Sequence, residues 1–123
     1  MDTTMSKYNN RKVRCCGETF DSMLECERYK YLKALEQQKV ISNLRRQVKY
    51  VLLPSQKDSK TQKTIEREIT YLADFVYEKG SQTIVEDVKG IKTDVYKIKR
   101  KLMLYFHGIQ IKEVTKEVKT WAV

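Results

Sequence analysis

Asp87 and Lys89, in the second half of the chain, have the types and spacing that metal-dependent chemistry requires. They lie in the stretch TIVEDVKG, residues 83–90, which is predicted to be a short strand ending at Gly90. Because side chains alternate along a strand, Asp87 and Lys89 point to one face and Glu86 points to the other. The sequence therefore predicts a carboxylate beside an ammonium group, with Glu86 at a surface position outside the site.

Asp74 lies in the preceding predicted strand, ITYLADFVY, residues 69–77. This strand is apolar on both faces, which is typical of a strand in the middle of a sheet. A buried carboxylate is costly unless it is paired or binds a metal ion. If the two strands are neighbours, Asp74, Asp87 and Lys89 form a divalent-metal site beside a cation. The alternative for Asp87 and Lys89 is a surface ion pair at a strand end.

Glu25 has two competing interpretations, and the sequence does not decide between them. A helix is predicted over residues 22–38, and Ser22-x-x-Glu25 fits a capping box at its start. Glu25 also lies on the flank of the predicted apolar face, from which it would lean towards the metal site. That face consists of Leu24, Tyr31, Leu32 and Leu35, and Arg28 interrupts it.

The composition indicates one soluble domain, residues 1–123, with an anionic polymer as its partner. Charged residues make up 33% of the chain and hydrophobic residues 41%, as in globular proteins. Lys and Arg number 25 against 16 acids, and the net charge of +9 favours nucleic acid. No apolar run is long enough to cross a membrane and no secretion signal is recognised, so the predicted location is the cytoplasm.

The three cysteines, Cys15, Cys16 and Cys26, do not form a recognisable framework. Two of them are adjacent, their number is odd, and a single His is present to complete a zinc site. The sequence therefore predicts reduced thiols.

The order of the predicted elements is helix, three strands, helix, strand. It predicts an α/β fold, with a small mixed central sheet flanked by helices. The remaining predicted segments are a flexible basic arm (1–12), a hairpin (13–20), a strand (41–53), a mobile loop (55–64), a strand starting near residue 64 and reaching residue 77, a turn (79–81), a helix (93–106) and a last strand (109–114). In the second helix, the predicted apolar face consists of Val95, Ile98, Leu102 and Tyr105.

Five blocks of sequence resemble, in order, the PD-(D/E)XK nuclease superfamily. They are most similar to a small phage- and prophage-borne branch, catalogued as a domain of unknown function and grouped with Holliday-junction-resolvase-like nucleases. The blocks are Phe20-Asp21-Ser22 with Glu25 and Arg28-Tyr29; Leu44 with Gln47; Tyr71-x-Ala73-Asp74-Phe75-x-Tyr77; Val85-Glu86-Asp87-Val88-Lys89-Gly90; and Tyr96-x-Ile98-Lys99-Arg100-Lys101.

This resemblance implies a restriction-endonuclease-like α-β-β-β-α-β core and a DNA endonuclease that uses Mg²⁺, for which Mn²⁺ can substitute. Asp74, Asp87 and the backbone carbonyl of Val88 would be metal ligands. Glu25 would bind a second metal ion or orient a water molecule, and Lys89 would position and activate the attacking water. Hard oxygen ligands suit Mg²⁺, which lowers the pKa of water and stabilises charge on a phosphate.

The expected DNA contacts lie on the second helix and on the strand 41–53. The predicted DNA-binding residues are Lys97, Lys99, Arg100, Lys101, Gln47 and Arg45. The resemblance implies a branched DNA substrate, and two cuts in a four-way junction imply a homodimer. Two alternatives remain open: a restriction-like or DNA-processing nuclease on linear duplex, and a non-catalytic nucleic-acid-binding module.

Overall fold

Eight strands and two α-helices lie in residues 12–123, the part of the chain that this computed structural model describes. All of the predicted basic arm except Lys12 lies outside these residues. In chain order, the elements are β1 (Val13–Cys15), β2 (Glu18–Phe20), α1 (Met23–Gln37), β3 (Ser42–Leu53), β4 (Gln56–Lys57), β5 (Thr64–Glu66), β6 (Ile69–Lys79), β7 (Gln82–Val88), α2 (Asp94–His107) and β8 (Lys112–Val114), followed by a 3-10 helix (Val118–Thr120).

Four of these strands form the central sheet, in the order β3-β6-β7-β8. The first three are antiparallel, and β8 is parallel to β7. Phe75 and Tyr77 pack with residues of α1, whereas Val76 packs with residues of α2, so the two helices cover opposite faces. The predicted α/β class, with a small mixed sheet flanked by helices, is confirmed.

Local signals in the sequence set the ends of several elements. The Ser22 hydroxyl accepts a hydrogen bond from the Glu25 backbone N–H at 3.1 Å and starts α1. The Thr93 hydroxyl does the same for the Tyr96 N–H and starts α2. Gly108 ends α2 with φ at 66°, in the left-handed conformation that glycine adopts without strain. These helix ends were predicted to within about one residue.

The segment 55–64 contains regular structure that the sequence did not predict. β4 pairs with β5, and the Asp58 N–H donates to the Lys63 carbonyl at 2.8 Å. The Asp58 carboxylate also accepts bonds from the N–H groups of Lys60 and Thr61, both at 2.9 Å. A mobile loop was predicted here, and the β4–β5 pairing was not predicted, because two-residue pairing leaves no periodic signal.

The faces that the two helices bury match the predicted ones only in part. In α1, Tyr31 is exposed and Leu24 and Leu35 are half-buried; the buried residues are Glu25, Cys26, Arg28, Tyr29 and Leu32. In α2, Tyr96 and Met103 are buried; of the predicted face, Leu102 is half-buried, and Val95, Ile98 and Tyr105 are exposed. The buried face of α1 includes Arg28, whose partner Glu86 is 58 residues away, and hydrophobic periodicity does not detect such a pair.

Cys15 and Cys26 form a disulfide that joins the β1–β2 hairpin to α1, and Cys16 is the exposed free thiol. The prediction of three reduced thiols was therefore wrong for this pair. Cys15 and Cys26 are eleven residues apart and belong to different elements, so their proximity depends on the packing of the hairpin.

Arg28 and Glu86 form an ion pair in the interior, and both side chains are 0% exposed. The Arg28 guanidinium donates to both carboxylate oxygens, at 2.8 and 2.5 Å, and Tyr77 donates its hydroxyl to the same carboxylate. Arg28 also donates to the Trp121 carbonyl at 2.6 Å. One pair thus connects α1, the sheet and the C-terminal segment.

We expect Glu86→Gln to reduce the free energy of unfolding by about 3 kcal/mol, because it leaves the Arg28 charge buried without its counter-ion. Urea denaturation measures this loss. The matched control is Glu27→Gln in α1, an exposed acid whose replacement should change stability by less than about 0.5 kcal/mol. Equal stability of the two variants would contradict the structural role of the pair.

Candidate functional site

The site lies where β6 and β7 separate. Their ladder ends at the pair Phe75–Glu86, and Asp74 is the next residue beyond it. There the Asp74 carboxylate, rather than a backbone carbonyl, accepts a hydrogen bond from the Val88 N–H at 2.8 Å. A side chain thus replaces the backbone contact between the strands, and the strands open around Asp74.

Strand β6 also changes faces at this point. Tyr71 and Ala73 pack in the same cluster as Val76, whereas Phe75 packs in the opposite one, so alternation is not maintained past Asp74. The β3 residue opposite Asp74 is Gln47, which has a φ of 54°. This irregularity brings Tyr71 to the same side of the sheet as Asp87.

A cavity of about 580 Å³ contains the predicted catalytic residues. Glu25, Asp74, Asp87 and Lys89 all line it, together with Val88. They come from α1, β6, β7 and the residue after β7. The structure thus brings together four residues that span 65 positions of the sequence, from 25 to 89.

Asp87 and Lys89 are held by Tyr71 and Tyr96, which belong to the resembling blocks but were given no role from the sequence. The Tyr71 hydroxyl donates to Asp87 Oδ2 at 2.8 Å, and Lys89 Nζ lies 3.6 Å from Asp87 Oδ1. The ammonium group is also 4.3 Å from the centre of the Tyr96 ring, at cation–π distance. These contacts orient the lysine beside the carboxylate.

Glu25 occupies both of the positions that were considered for it. Its carboxylate accepts the Asp21 backbone N–H at 3.3 Å, which stabilises the start of α1 as a capping residue does. The same carboxylate is buried at the cavity and accepts a hydrogen bond from the Gln47 amide, also at 3.3 Å. The two roles are therefore compatible.

Arg46 is a cavity neighbour that sequence reasoning missed. Its guanidinium lies 3.5 Å from Glu25 and 2.7 Å from Glu18, and it stacks 3.8 Å above the centre of the Phe20 ring. An arginine in a strand with three other polar neighbours gives no signal for this contact. Its partners become clear once the β1–β2 hairpin is seen packed against β3.

The pKa values of the three carboxylates are all raised, chiefly by burial. Burial and then the charges of Asp87 and Glu25 raise the pKa of Asp74 to about 8. Burial also raises the pKa of Asp87, although Lys89 and the Tyr71 hydrogen bond oppose the effect. Burial and the nearby Asp21 raise the pKa of Glu25. Burial of like charges is the expected electrostatics of a site that accepts a cation.

The donor atoms fit a hard divalent cation, since Asp74 and Asp87 present carboxylate oxygens at a shared cavity. Within residues 12–123, no group of three His, Cys, Asp or Glu side chains is already arranged around a metal position. The fit therefore rests on the Asp74–Asp87 pair.

The predicted DNA-binding residues fall into two groups. Lys99 lines the cavity, and Lys97 and Lys101 are exposed on α2. The other three already have protein partners. Arg100 pairs with Glu113 at 2.8 Å, Arg45 pairs with Glu78 at 2.9 Å, and Gln47 contacts Glu25.

A family model matches residues 5–121, almost the whole chain. The chain belongs to this family, described as Protein of unknown function (DUF1064). The DUF1064 match spans every residue of the candidate site. The chain matches no curated protein and no solved structure. No helix of this DUF1064 protein is long and apolar enough to cross a membrane, within the residues described.

We expect Asp74→Asn to raise the melting temperature in EDTA by roughly 4 °C, as a gain of about 1 kcal/mol does in a domain of this size. Folding raises the pKa of Asp74 to about 8. As the pH rises from about 4 to about 8, Asp74 ionises freely in the unfolded state, whereas the native state must hold a proton there or bury a charge. The free energy of unfolding therefore falls over this pH range. The amide removes this cost and can still accept the Val88 N–H. Thermal denaturation at neutral pH measures the change in melting temperature.

The control for this measurement is Glu66→Gln, an exposed acid in β5 that should leave the melting temperature unchanged. A melting temperature of Asp74→Asn below that of the unmodified protein would show that the carboxylate stabilises the fold.

Proposed function

We propose that this protein is a divalent-metal-dependent endonuclease of the PD-(D/E)XK type that hydrolyses phosphodiester bonds in DNA. The observation that carries the proposal is the convergence of Asp74, Asp87 and Lys89 in one cavity, with Glu25 beside them. A buried carboxylate, Asp87, beside a half-buried one, Asp74, and a lysine is costly for a purely structural role, and it suits the binding of a cation and a phosphate.

In this proposal Asp74 and Asp87 hold Mg²⁺, with the Val88 carbonyl as a further ligand, and Mn²⁺ substitutes for it. Bound Mg²⁺ would supply a nucleophile at neutral pH and neutralise charge on the phosphate. Lys89 positions the attacking water and donates to the phosphate oxygen, since Asp87 and the Tyr96 ring hold its ammonium group in place. Glu25 orients a water molecule or binds a second ion.

DNA is the proposed partner because of the charge of the chain. The net charge is +9, and Lys97, Lys99 and Lys101 lie on the helix that flanks the cavity. The resemblance to Holliday-junction-resolvase-like nucleases extends the proposal to branched DNA in a phage or prophage setting. Two symmetric cuts in such a junction require two sites, so this form of the proposal includes a homodimer in the cytoplasm of a bacterial host.

Cleavage of a panel of DNAs tests the proposal. The panel contains a four-way junction, a flap, single-stranded DNA and linear duplex, each incubated with Mg²⁺, Mn²⁺ or EDTA. We expect metal-dependent cleavage, with Asp87→Asn slower by more than about 100-fold, because an amide does not replace the charge that holds the ion. The control Glu117→Gln replaces an exposed acid outside the cavity and should cleave normally.

The panel also distinguishes the alternatives. Preferred cleavage of linear duplex would favour a restriction-like or DNA-processing nuclease over a junction nuclease. Binding without cleavage under every metal condition would favour a non-catalytic nucleic-acid-binding module. Cleavage that persists in Asp87→Asn at the normal rate would show that the proposed site is not the catalytic one.

A further inference from the structure

Helix α2 carries an apolar stripe of four side chains, of which three are exposed and the fourth, Leu102, is half-buried against the core. Val95, Ile98, Leu102 and Tyr105 follow one another at spacings of three, four and three residues, which places them on one side of the helix. Val95 is 61% exposed, Ile98 57% and Tyr105 79%. Tyr96 and Met103 supply the buried face instead. A face of this kind at the surface of a small domain usually marks a binding site.

The stripe begins at the candidate active site. Val95 lines the cavity, and the exposed side chains of Leu72 and Ile91 lie along the same cavity wall. At the other end are Tyr105 and Phe106, whose rings are in T-shaped contact with centres 4.9 Å apart. Ten residues of helix separate Val95 from Tyr105, a distance of about 15 Å. The stripe therefore extends from the candidate site along the outer side of α2.

The edges of the stripe are positively charged. Helix α2 contains four Lys and Arg residues and a single acid, Asp94, at its first position. Among the described residues, Lys97, Lys99 and Lys101 form no ion pair, whereas Arg100 is paired with Glu113. A second copy of the same helix would bring these lysines against identical charges. The occupant that complements them carries negative charge together with flat apolar surfaces.

We propose that the outer face of α2 binds a single-stranded segment of DNA next to the cleavage site. Unpaired bases stack on Tyr105 and Phe106 and pack on Ile98, and the lysines at the edges contact backbone phosphates. Duplex DNA does not offer this surface, because its base faces are stacked inside the helix. The inference rests on the proposed nuclease function and specifies its substrate class as DNA with an unpaired segment beside the scissile bond.

Fluorescence anisotropy in EDTA tests this binding without cleavage. The probes are a labelled single-stranded oligonucleotide and a duplex of the same sequence. Tyr105→Ala should weaken single-strand binding about tenfold and duplex binding less than twofold, because it removes a stacking surface and no charge. Tyr105→Phe keeps the ring and should bind like the unmodified protein. Val118→Ala, a control at an exposed apolar residue outside α2, should also have no effect.

An unchanged single-strand affinity in Tyr105→Ala, or an equal loss with duplex, would overturn the proposal. Sedimentation velocity tests the alternative that a second copy of the chain binds the stripe. Concentration-dependent self-association that Tyr105→Ala abolishes, with single-strand binding unchanged, would assign the stripe to a dimer interface. If circular dichroism shows that Tyr105→Ala folds poorly, Ile98→Ala replaces it. This variant should also weaken single-strand binding about tenfold. Binding is measured in EDTA, without cleavage. Absence of cleavage in the panel would therefore not change the binding result, and absence of single-strand binding would not change the cleavage result.

Discussion

The ion pair between Arg28 and Glu86 is the contact on which the arrangement of the site depends. Both side chains are fully buried, and the carboxylate also accepts the Tyr77 hydroxyl. Glu86 must therefore point towards α1. Since neighbouring residues of a strand point in opposite directions, Asp87 is directed to the other face, into the cavity. A shift of β7 by one residue would break the buried pair and remove Asp87 from the site at once.

The two acids next to each other in β7 thus have opposite consequences for stability. Glu86 is fully paired with a positive charge, so its burial is balanced. Asp87 shares its cavity with Asp74 and Glu25, and the nearest positive group is Lys89 at 3.6 Å. Burial, and then this excess of negative charge, raise the pKa of Asp74. Functional sites commonly retain such unfavourable electrostatics, and the rest of the fold compensates for them.

The sequence predicted the elements better than it predicted their packing. The caps at Ser22 and Thr93 and the glycine turn at Gly80 are local signals, and each appears where it was expected. The buried faces of the helices depend instead on pairs such as Arg28–Glu86, whose members are 58 residues apart. Arg28 interrupts the predicted apolar face of α1, but in the structure it anchors this helix to the sheet through Glu86.

In the site too, local patterns were predicted correctly, whereas contacts between distant elements were not. The parity of β7 predicted that Asp87 and Lys89 share a face and that Glu86 does not, and the structure confirms both points. The sequence also placed Glu86 at the surface, which is wrong because its buried partner comes from another element. Tyr71 reaches Asp87 because β6 changes faces at Asp74, an irregularity that ordinary strand alternation does not predict.

Calorimetric titration of the DNA-free protein with Mn²⁺ measures whether Asp74 and Asp87 together bind a divalent cation. We expect saturable binding to the unmodified protein and to Glu117→Gln, and loss of that binding in both Asp74→Asn and Asp87→Asn. Heats of dilution alone for the unmodified protein, or undiminished binding in the two Asn variants, would show that these two carboxylates do not form a metal site.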